Sequence, residues 1–456
     1  MSGDGDQQLM ALISREQRGF RFILFSGLFM LVVLVGTSAA LGFYYYTASR
    51  DIAELVERQT FDIRRDIDNQ RNRVAAQDMR LRRVHAEVRG ASTARLAPAP
   101  QQMQAALESA GAYLERGRLS FSDEQMIDAI ARDANAEATP ARAFLTGVAR
   151  LAEFERSGDP SLNGRPALPQ TLLDAKSAFE SAASDTTLAQ VAQAGLAYIS
   201  FYDAQRTAYG QRECEHLFGV IAASGSLATS PQPLYWQAQC ERKLGRTVDS
   251  LLHYAQALEQ SAAQASNPNA DFADLSLAMN AFHGVGTTLI ALYDEDEARI
   301  ASALAIADQK CSASPDLEGS PRMQLAERCL RDAMRLRRQL GQTPNQVNGS
   351  GENLSFVYLR DGNFAHAFAH ANEVEHNGIL AWTELVRAFS ADNVARSDEA
   401  HSVGVQARRR ISFFDVADFN LCELQRLLSV AHYEAAVRII EREHPGERVG
   451  CATSTP

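Results

Sequence analysis

The histidines of the segment HAFAH have the spacing that best fits a metal site in this chain. His366 and His370 lie one helical turn apart, and Glu373 and His376 follow them. In a zinc hydrolase of the HExxH type, a glutamate stands next to the first histidine, whereas this chain has Ala367 there. Two exposed histidines on a helix are the ordinary interpretation, so the sequence predicts no metal site.

Other candidates for chemistry are weaker. His283 and Cys311 have the residue types of a base and a nucleophile, but no flanking motif supports a protease. The acidic run at residues 294–297 could hold a cation, and it also suits the N-terminus of a following helix. No Walker loop, dinucleotide fingerprint, HExxH, GxSxG or kinase signature occurs in the sequence. We therefore predict no catalytic residue and no cofactor.

The six cysteines include no CxxC pair. Taken in order they give three candidate disulfides between neighbouring helices or between the last hairpin and the tail: Cys214 with Cys240, Cys311 with Cys329, and Cys422 with Cys451. Such bonds would place this part of the chain in an oxidising compartment. Connectivity cannot be deduced from sequence alone, and buried free thiols are the alternative.

An uncharged apolar segment precedes all of these residues. Residues 22–46 read FILFSGLFMLVVLVGTSAALGFYYY and end in three tyrosines, which are typical of a membrane interface. A helix of this length covers roughly 37 Å, against a hydrocarbon core of about 30 Å. The sequence predicts one transmembrane helix after a short polar tail at residues 1–21. Cleavage after Ala40, as in a signal peptide, is the alternative, and arginines on both sides leave the orientation open.

Residues 47–91 contain almost no Gly or Pro and repeat a seam position every seven residues, at Thr60, Ile67, Val74, Leu81 and Val88. This heptad pattern predicts a parallel coiled-coil stalk, through which the protein would form a homo-oligomer. A single amphipathic helix that packs on the body or on a bilayer is the alternative. Residues 92–102 lack periodicity and contain two prolines, so we predict a linker there.

Residues 103–445 show only helical patterns separated by short breaks, which predicts an all-α domain. The clearest unit is LYWQAQCERKLGRTVDSLLHYAQALEQSA, residues 234–262. A small residue, Ala238, lies in its first helix, and Gly245 makes the turn. The second helix places Ser250, Tyr254 and Ala257 at small, large, small spacing.

This unit resembles the tetratricopeptide repeat, whose small residues let two helices approach closely while an aromatic side chain fills the gap to the next hairpin. Weaker copies occur at residues 172–182, 353–375, 400–407 and 421–443. The predicted break at residues 341–351 would separate two lobes. An unrelated α-helical bundle is the alternative.

The resemblance implies an α-α superhelix, a solenoid whose groove binds an extended segment or a helix of a partner protein. It also implies that the groove is lined mainly by first helices. The candidate groove residues are Tyr235, Gln239, Asn353 and Trp382.

Charge narrows the class of partner. The net charge of the chain is −11, with about +3 over residues 50–95 and about −14 beyond them. An acidic body does not suit nucleic-acid binding, which needs a basic face. Arginine carries almost all of the positive charge, which suggests a GC-rich bacterial genome.

Together these features predict a non-catalytic, membrane-tethered scaffold that binds partner proteins in the bacterial cell envelope. Its single span would lie in the inner membrane, with residues 103–445 in the periplasm and a C-terminal tail at residues 446–456. One alternative is a cytoplasm-facing adaptor on the same fold, with reduced cysteines. The other is an envelope enzyme that modifies the cell wall through a site without a known motif.

Overall fold

A computed structural model describes the following parts of the chain: Met30, and residues 99–116, 119–132, 139–157, 162, 164–266, 270, 272–313, 319–342, 344–375, 381–391, 393–394, 398–447 and 449–451. All regular structure in these ranges is helical, with 17 α-helices and no strand, which confirms the predicted all-α class. None of these helices is both long and apolar enough to span a bilayer. The predicted transmembrane helix and stalk lie outside the ranges, apart from Met30.

The helices differ in length but follow one another closely. The first nine are α1 (Ala99–Arg116), α2 (Phe121–Arg132), α3 (Pro140–Ser157), α4 (Gln170–Ala182), α5 (Ala189–Arg206), α6 (Gln211–Ala223), α7 (Pro231–Lys243), α8 (Thr247–Ala265) and α9 (Phe272–Ala291). The others are α10 (Glu297–Lys310), α11 (Pro321–Gln339), α12 (Pro344–Arg360), α13 (Phe364–Glu375), α14 (Ala381–Ala391), α15 (Asp398–Ile411), α16 (Leu421–Leu427) and α17 (Val430–Glu443). Two short 3₁₀ segments, Gly225–Thr229 and Val416–Phe419, precede α7 and α16.

Two helix starts differ from the sequence-based boundaries. Helix α1 begins at Ala99, inside the predicted linker, because Pro100 falls in the first turn, where a missing N–H costs no hydrogen bond. Helix α12 begins at Pro344, so the predicted break at residues 341–351 is wrong from residue 344 onward. Gly351 lies in this helix, and a Cβ there would come within 3.3 Å of Val374 on α13. Close helix packing therefore accounts for that glycine.

Seven of the described helices form a continuous row. Helices α1, α3, α5, α7, α9, α12 and α14 each contact the next, and we call this set the first-helix row. Each neighbouring pair α3–α4, α7–α8, α8–α9 and α12–α13 packs extensively, so the helices between row members hold the row together. All four candidate groove residues lie on the row, on α7, α12 and α14.

The chain folds back onto the middle of this row near its C-terminal end. Helix α16 packs against α9, and its Glu423 forms an ion pair with Arg242 at the end of α7. The two residues are 181 positions apart in sequence. Arg426 adds a second contact by donating to the main-chain oxygen of Lys243 at 3.1 Å.

The α7–α8 hairpin shows how consecutive helices are joined. Gly245 makes the turn with φ of +78°, a conformation that favours glycine. The hydroxyl of Ser250 donates to the main-chain oxygen of Ala238 at 2.8 Å, so the two helices touch at small residues. The ring of Tyr254 is fully buried and packs against Gly284 of α9. One hairpin therefore fills the gap to the next with an aromatic side chain.

Phe179 of α4 has the same role two hairpins earlier. Its fully buried ring packs between Gly147 of α3 and Gly195 of α5. A Cβ would come within 2.7 Å of the ring at Gly147 and within 2.5 Å at Gly195. Since neither glycine has a positive φ, it is the ring that requires a residue without a side chain here.

Three disulfide bonds join neighbouring segments. Cys214–Cys240 connects α6 to α7, Cys311–Cys329 connects the end of α10 to α11, and Cys422–Cys451 connects α16 to the tail. Their Cα–Cα distances are 5.5, 5.0 and 4.7 Å. The structure thus brings together the three pairs that the order of the cysteines suggests. Each bond stabilises the fold by about 2–4 kcal/mol.

Candidate functional site

A group of polar side chains lies where α7, α9, α11 and α12 meet and where α16 folds back. We call it the basic cluster. It consists of Arg242, Lys243, His283, Arg337, Ser350, Glu423 and Arg426. Four different helices of the body and α16 supply these residues, so only the tertiary fold assembles the cluster.

Arg337 is a cation of the cluster for which the described residues supply no carboxylate partner. Its Nε donates to the hydroxyl of Ser350 at 3.0 Å, and its Nη1 donates to the side-chain oxygen of Gln342 at 3.0 Å. Both acceptors are neutral, and no carboxylate in the described part of the chain pairs with this guanidinium. Burial lowers the pKa of Arg337, although the nearby Tyr235 opposes the shift. Arg337 is a partly exposed residue, and these two bonds use only two of the five N–H groups of an arginine, so N–H groups remain for another acceptor.

Ser350 links this arginine to His283. Since Ser350 accepts from Arg337, its own proton is free to be donated to Nδ1 of His283, which lies 3.0 Å from the hydroxyl oxygen. Burial, together with the charges of Arg337 and Arg242, lowers the pKa of His283 to about 3. The imidazole is therefore neutral at physiological pH.

Ser350 and His283 have the residue types of a nucleophile and its base, but two features oppose catalysis. Ser350 has no exposed surface, so a substrate carbonyl cannot reach its hydroxyl. A histidine with a pKa of about 3 is also a poor general base near pH 7. We assign the pair a positioning role: it fixes the orientation of Arg337.

Arg242 binds an internal carboxylate. Its Nη1 donates to the hydroxyl of Thr287 at 2.8 Å, and its Nη2 pairs with Glu423. Burial alone would raise the pKa of Glu423, but the charges of Arg242, Lys243 and Arg426 outweigh burial, and the net shift is downward. Glu423 is consequently ionised at physiological pH and bound by its cationic neighbours.

The basic cluster holds four cations, at residues 242, 243, 337 and 426, around the single carboxylate of Glu423. This local excess of positive charge contrasts with the charge of about −14 carried by residues 96–456. In electrostatic terms, such an excess of positive charge favours an anionic over a cationic ligand at this place.

Tyr235 and Gln239 extend the cluster along α7. Nε2 of Gln239 donates to the hydroxyl of Tyr235 at 2.7 Å. Burial raises the pKa of Tyr235, and the charges of Arg242 and Arg337 oppose this shift, so both guanidiniums lie near its hydroxyl. The structure thus brings two of the four predicted groove residues together, beside the basic cluster.

A strained turn places a further aromatic residue near Tyr235. Between α5 and α6, Ala208 and Tyr209 have φ of +53° and +63°, which costs about 1–2 kcal/mol for each residue. The ring of Tyr209 packs on Phe201 at a centroid distance of 6.4 Å. Burial and, to a lesser extent, the nearby Tyr235 raise the pKa of the Tyr209 hydroxyl. The turn thus adds a ring to the side of the site formed by α7.

The other two predicted groove residues lie elsewhere in the row. Asn353 is 5% exposed, and its amide donates to the main-chain oxygen of Gly349 at 2.8 Å. Nε1 of Trp382 donates to the main-chain oxygen of Phe419 at 2.5 Å. The polar atoms of both side chains are thus used within the chain, and neither residue joins the basic cluster.

Glu352, next to Asn353, is a carboxyl group that the fold keeps largely protonated in weak acid. Burial raises its pKa to about 7, even though the main chain and hydroxyl of Thr383 both donate to it at 3.2 Å and lower the pKa. An unfolded glutamate has a pKa near 4.3. Between roughly pH 4.5 and 7 the folded chain therefore binds one more proton than the unfolded chain, and stability falls as pH rises through this window.

We expect Glu352→Gln to abolish this component of the pH dependence. This component amounts to about 3 kcal/mol at most. The free energy of unfolding of the variant should therefore rise relative to that of the wild type as pH increases from 5 to 8. Urea unfolding at several pH values measures the difference. Glu434→Gln, at an exposed position of α17, is the control and should follow the wild type. Parallel curves for wild type and Glu352→Gln would contradict the assignment.

The HAFAH histidines pack against an aromatic ring. His366 and His370 lie 5.6 and 6.1 Å from the ring of Tyr358, and Nε2 of His370 contacts a main-chain oxygen of α12 at 3.1 Å. The side chain of Glu373 and all of His376 lie outside the described part. Within the described part, no three His, Cys, Asp or Glu side chains converge as a metal ion requires.

The remaining candidates from the sequence have structural roles. Asp296 of the acidic run caps α10, because its carboxylate accepts from the main-chain N–H of Ala298 at 3.0 Å. Cys311 is bonded to Cys329 and is therefore unavailable as a nucleophile, while His283 belongs to the basic cluster.

A separate depression of about 440 Å³ lies between α10 and α11. Leu304 and Leu325 supply apolar surface, and an ion pair of 2.5 Å joins Arg328 to Asp308 at its edge. Arg322 donates to main-chain oxygens just beyond the end of α9. These arginines bind the chain itself, so we assign no ligand to the depression.

No protein-family model matches this chain, and no curated protein or solved structure is significantly similar to it. The functional interpretation therefore depends on the geometry of the chain alone. Sequence patterns indicated Tyr235 and Gln239, named His283 only as a possible base beside Cys311, and missed Arg337 and Glu423. The one signal in the sequence was that the segment around Arg337, RLRRQLGQ, contains no acidic residue that could pair with this arginine on the same helix.

Proposed function

We propose that this protein is a non-catalytic helical-repeat scaffold that binds a partner protein at the basic cluster of its first-helix row. The observation that carries the proposal is Arg337, a partly buried guanidinium held by two neutral acceptors and without a carboxylate among the described residues. Keeping such a charge largely out of water is unfavourable for folding alone. A ligand that supplies the missing carboxylate would offset this cost.

The hairpin geometry supports membership of the tetratricopeptide-like class as part of this proposal. Phe179 and Tyr254 both fill the gap to the following hairpin against a glycine, as the resemblance implies. The three disulfides support a location in an oxidising compartment, which we propose is the periplasm. The apolar segment at residues 22–46 would be the inner-membrane anchor, and the heptad pattern of residues 47–91 would form an oligomeric stalk.

Site-specific photocrosslinking in the native cells tests the proposal. A benzophenone amino acid at Gln239, beside the basic cluster, should give a discrete adduct with another protein. The matched control is Gln260, an exposed residue of the second helix α8, which should give none. Adducts of equal yield from both positions, or no adduct from Gln239, would contradict a binding site on the first-helix row.

A further inference from the structure

The internal carboxylate of the basic cluster indicates the chemistry of its ligand. Glu423 reaches Arg242 from a helix of only seven residues, α16, which the fold brings back over 181 positions of sequence. Its second oxygen lies 3.4 Å from Arg426, a residue of the same short helix. A carboxylate on a protein segment is therefore already bound at one half of the cluster.

The other half of the basic cluster also presents an arginine, Arg337, but the described residues place no carboxylate beside it. Arg337 is oriented through Ser350 and Gln342, and His283, the third group beside Ser350, stays neutral and adds no competing charge. A rigidly held guanidinium with remaining N–H groups is suited to a carboxylate, which it can bind through two oxygens. The charges of Arg242 and Arg337 both lower the pKa of His283 and of Tyr235, so both guanidiniums lie close to these two side chains. The two halves of the cluster are therefore adjacent.

We propose that the partner presents an extended acidic segment, of which one carboxylate binds Arg337 and another competes with Glu423 for Arg242. This inference rests on the proposed function. Charge complementarity favours an acidic peptide, because four cations surround one carboxylate in the cluster. Helix α16 then acts as an internal competitor that keeps Arg242 paired while no partner is bound.

Fluorescence anisotropy on the full-length chain, purified in mild detergent, tests the inference with a labelled oligoglutamate peptide. An oligoglutamine peptide of equal length is the neutral control and should not bind. Arg337→Gln should weaken oligoglutamate binding by about tenfold or more. Arg338→Gln removes the same charge at the next, exposed position of α11 and should change binding by less than about twofold.

Glu423→Gln should have the opposite effect on peptide binding. Removing the internal competitor should tighten oligoglutamate binding by about fivefold or more. If Arg337→Gln does not fold, as circular dichroism would show, this variant decides the outcome. Equal binding of both peptides, equal losses in the two arginine variants, or no gain in Glu423→Gln would overturn the inference.

The two proposals can fail separately. If Gln239 crosslinks to a protein in cells but oligoglutamate does not bind the purified chain, the acidic segment is wrong and the scaffold function stands. If Gln239 gives no adduct, the scaffold function fails whatever the peptide does.

Discussion

Replacing Glu384 with alanine should lower the free energy of unfolding by about 3–5 kcal/mol. Glu384 has no exposed surface, and its two oxygens accept from Nη1 of Arg387 at 2.9 and 2.8 Å. Nη1 of Arg410, on the next helix, lies 3.4 Å away, and Nε of Arg387 donates to Asn372 on α13 at 2.8 Å. The substitution removes a buried carboxylate that lies between the buried Arg387 and the largely buried Arg410, so much of the lost hydration of these two guanidiniums would no longer be offset.

A surface pair supplies the matched control. Glu434 and Arg438 lie one turn apart on α17 at 3.8 Å, and their side chains are 62% and 64% exposed. Glu434→Ala should therefore cost less than about 0.5 kcal/mol. Urea unfolding of the wild type and both variants measures the contrast. Similar losses of unfolding free energy in the two variants would show that the polar contacts of Glu384 with Arg387 and Arg410 do not stabilise this end of the fold.

Phe179→Ala should destabilise the protein by about 3–5 kcal/mol. The ring is completely buried between α3 and α5, where Gly147 and Gly195 leave space for it. Alanine would remove the whole ring and leave a cavity that two glycines cannot fill. Chemical denaturation monitored by circular dichroism gives the change in free energy.

A double-mutant cycle makes this prediction specific. Gly195→Ala alone should destabilise by about 1–3 kcal/mol, because its Cβ would come within 2.5 Å of the Phe179 ring. In the Phe179→Ala background the same methyl enters the cavity, so the double variant should be more stable than the sum of the single losses. Additive losses would contradict direct packing of the ring on Gly195.

Gly219→Ala is the control for adding a methyl group to a helix. Gly219 lies in α6, is exposed, and would place its Cβ more than 4 Å from any neighbouring heavy atom. This variant should gain about 0.5–1 kcal/mol, since alanine is the better helix former. A loss similar to that of Gly195→Ala would indicate that glycine is needed for backbone reasons at both positions.

Local chemistry made much of the helical order predictable from sequence. Gly245 and Gly362 terminate helices at positive φ, and the apolar spacing around Tyr254 and Phe179 identifies second helices. The segment around Gly351 misled the prediction, because a glycine required by close packing has the same sequence appearance as a glycine in a turn.

The basic cluster was not predictable in the same way. The pair of Arg242 and Glu423 joins residues 181 positions apart, and neither helix carries a local signal for the other. Arg337 lies among several arginines of α11, of which Arg331 and Arg335 pair with carboxylates of their own helix. Neither Arg337 nor Arg338 pairs with a carboxylate of the described residues, and only the folded chain shows that Arg337 is the one held by Ser350 and Gln342.

The most direct test of the scaffold function is the yield of the Gln239 photoadduct in two arginine backgrounds. Binding at the basic cluster predicts that Arg337→Gln abolishes most of the adduct, whereas Arg338→Gln, one residue along the same helix, leaves it unchanged. An adduct that survives Arg337→Gln at its full yield would contradict the central claim, because the partner would then bind at Gln239 without using the guanidinium of Arg337, for which the described residues supply no carboxylate.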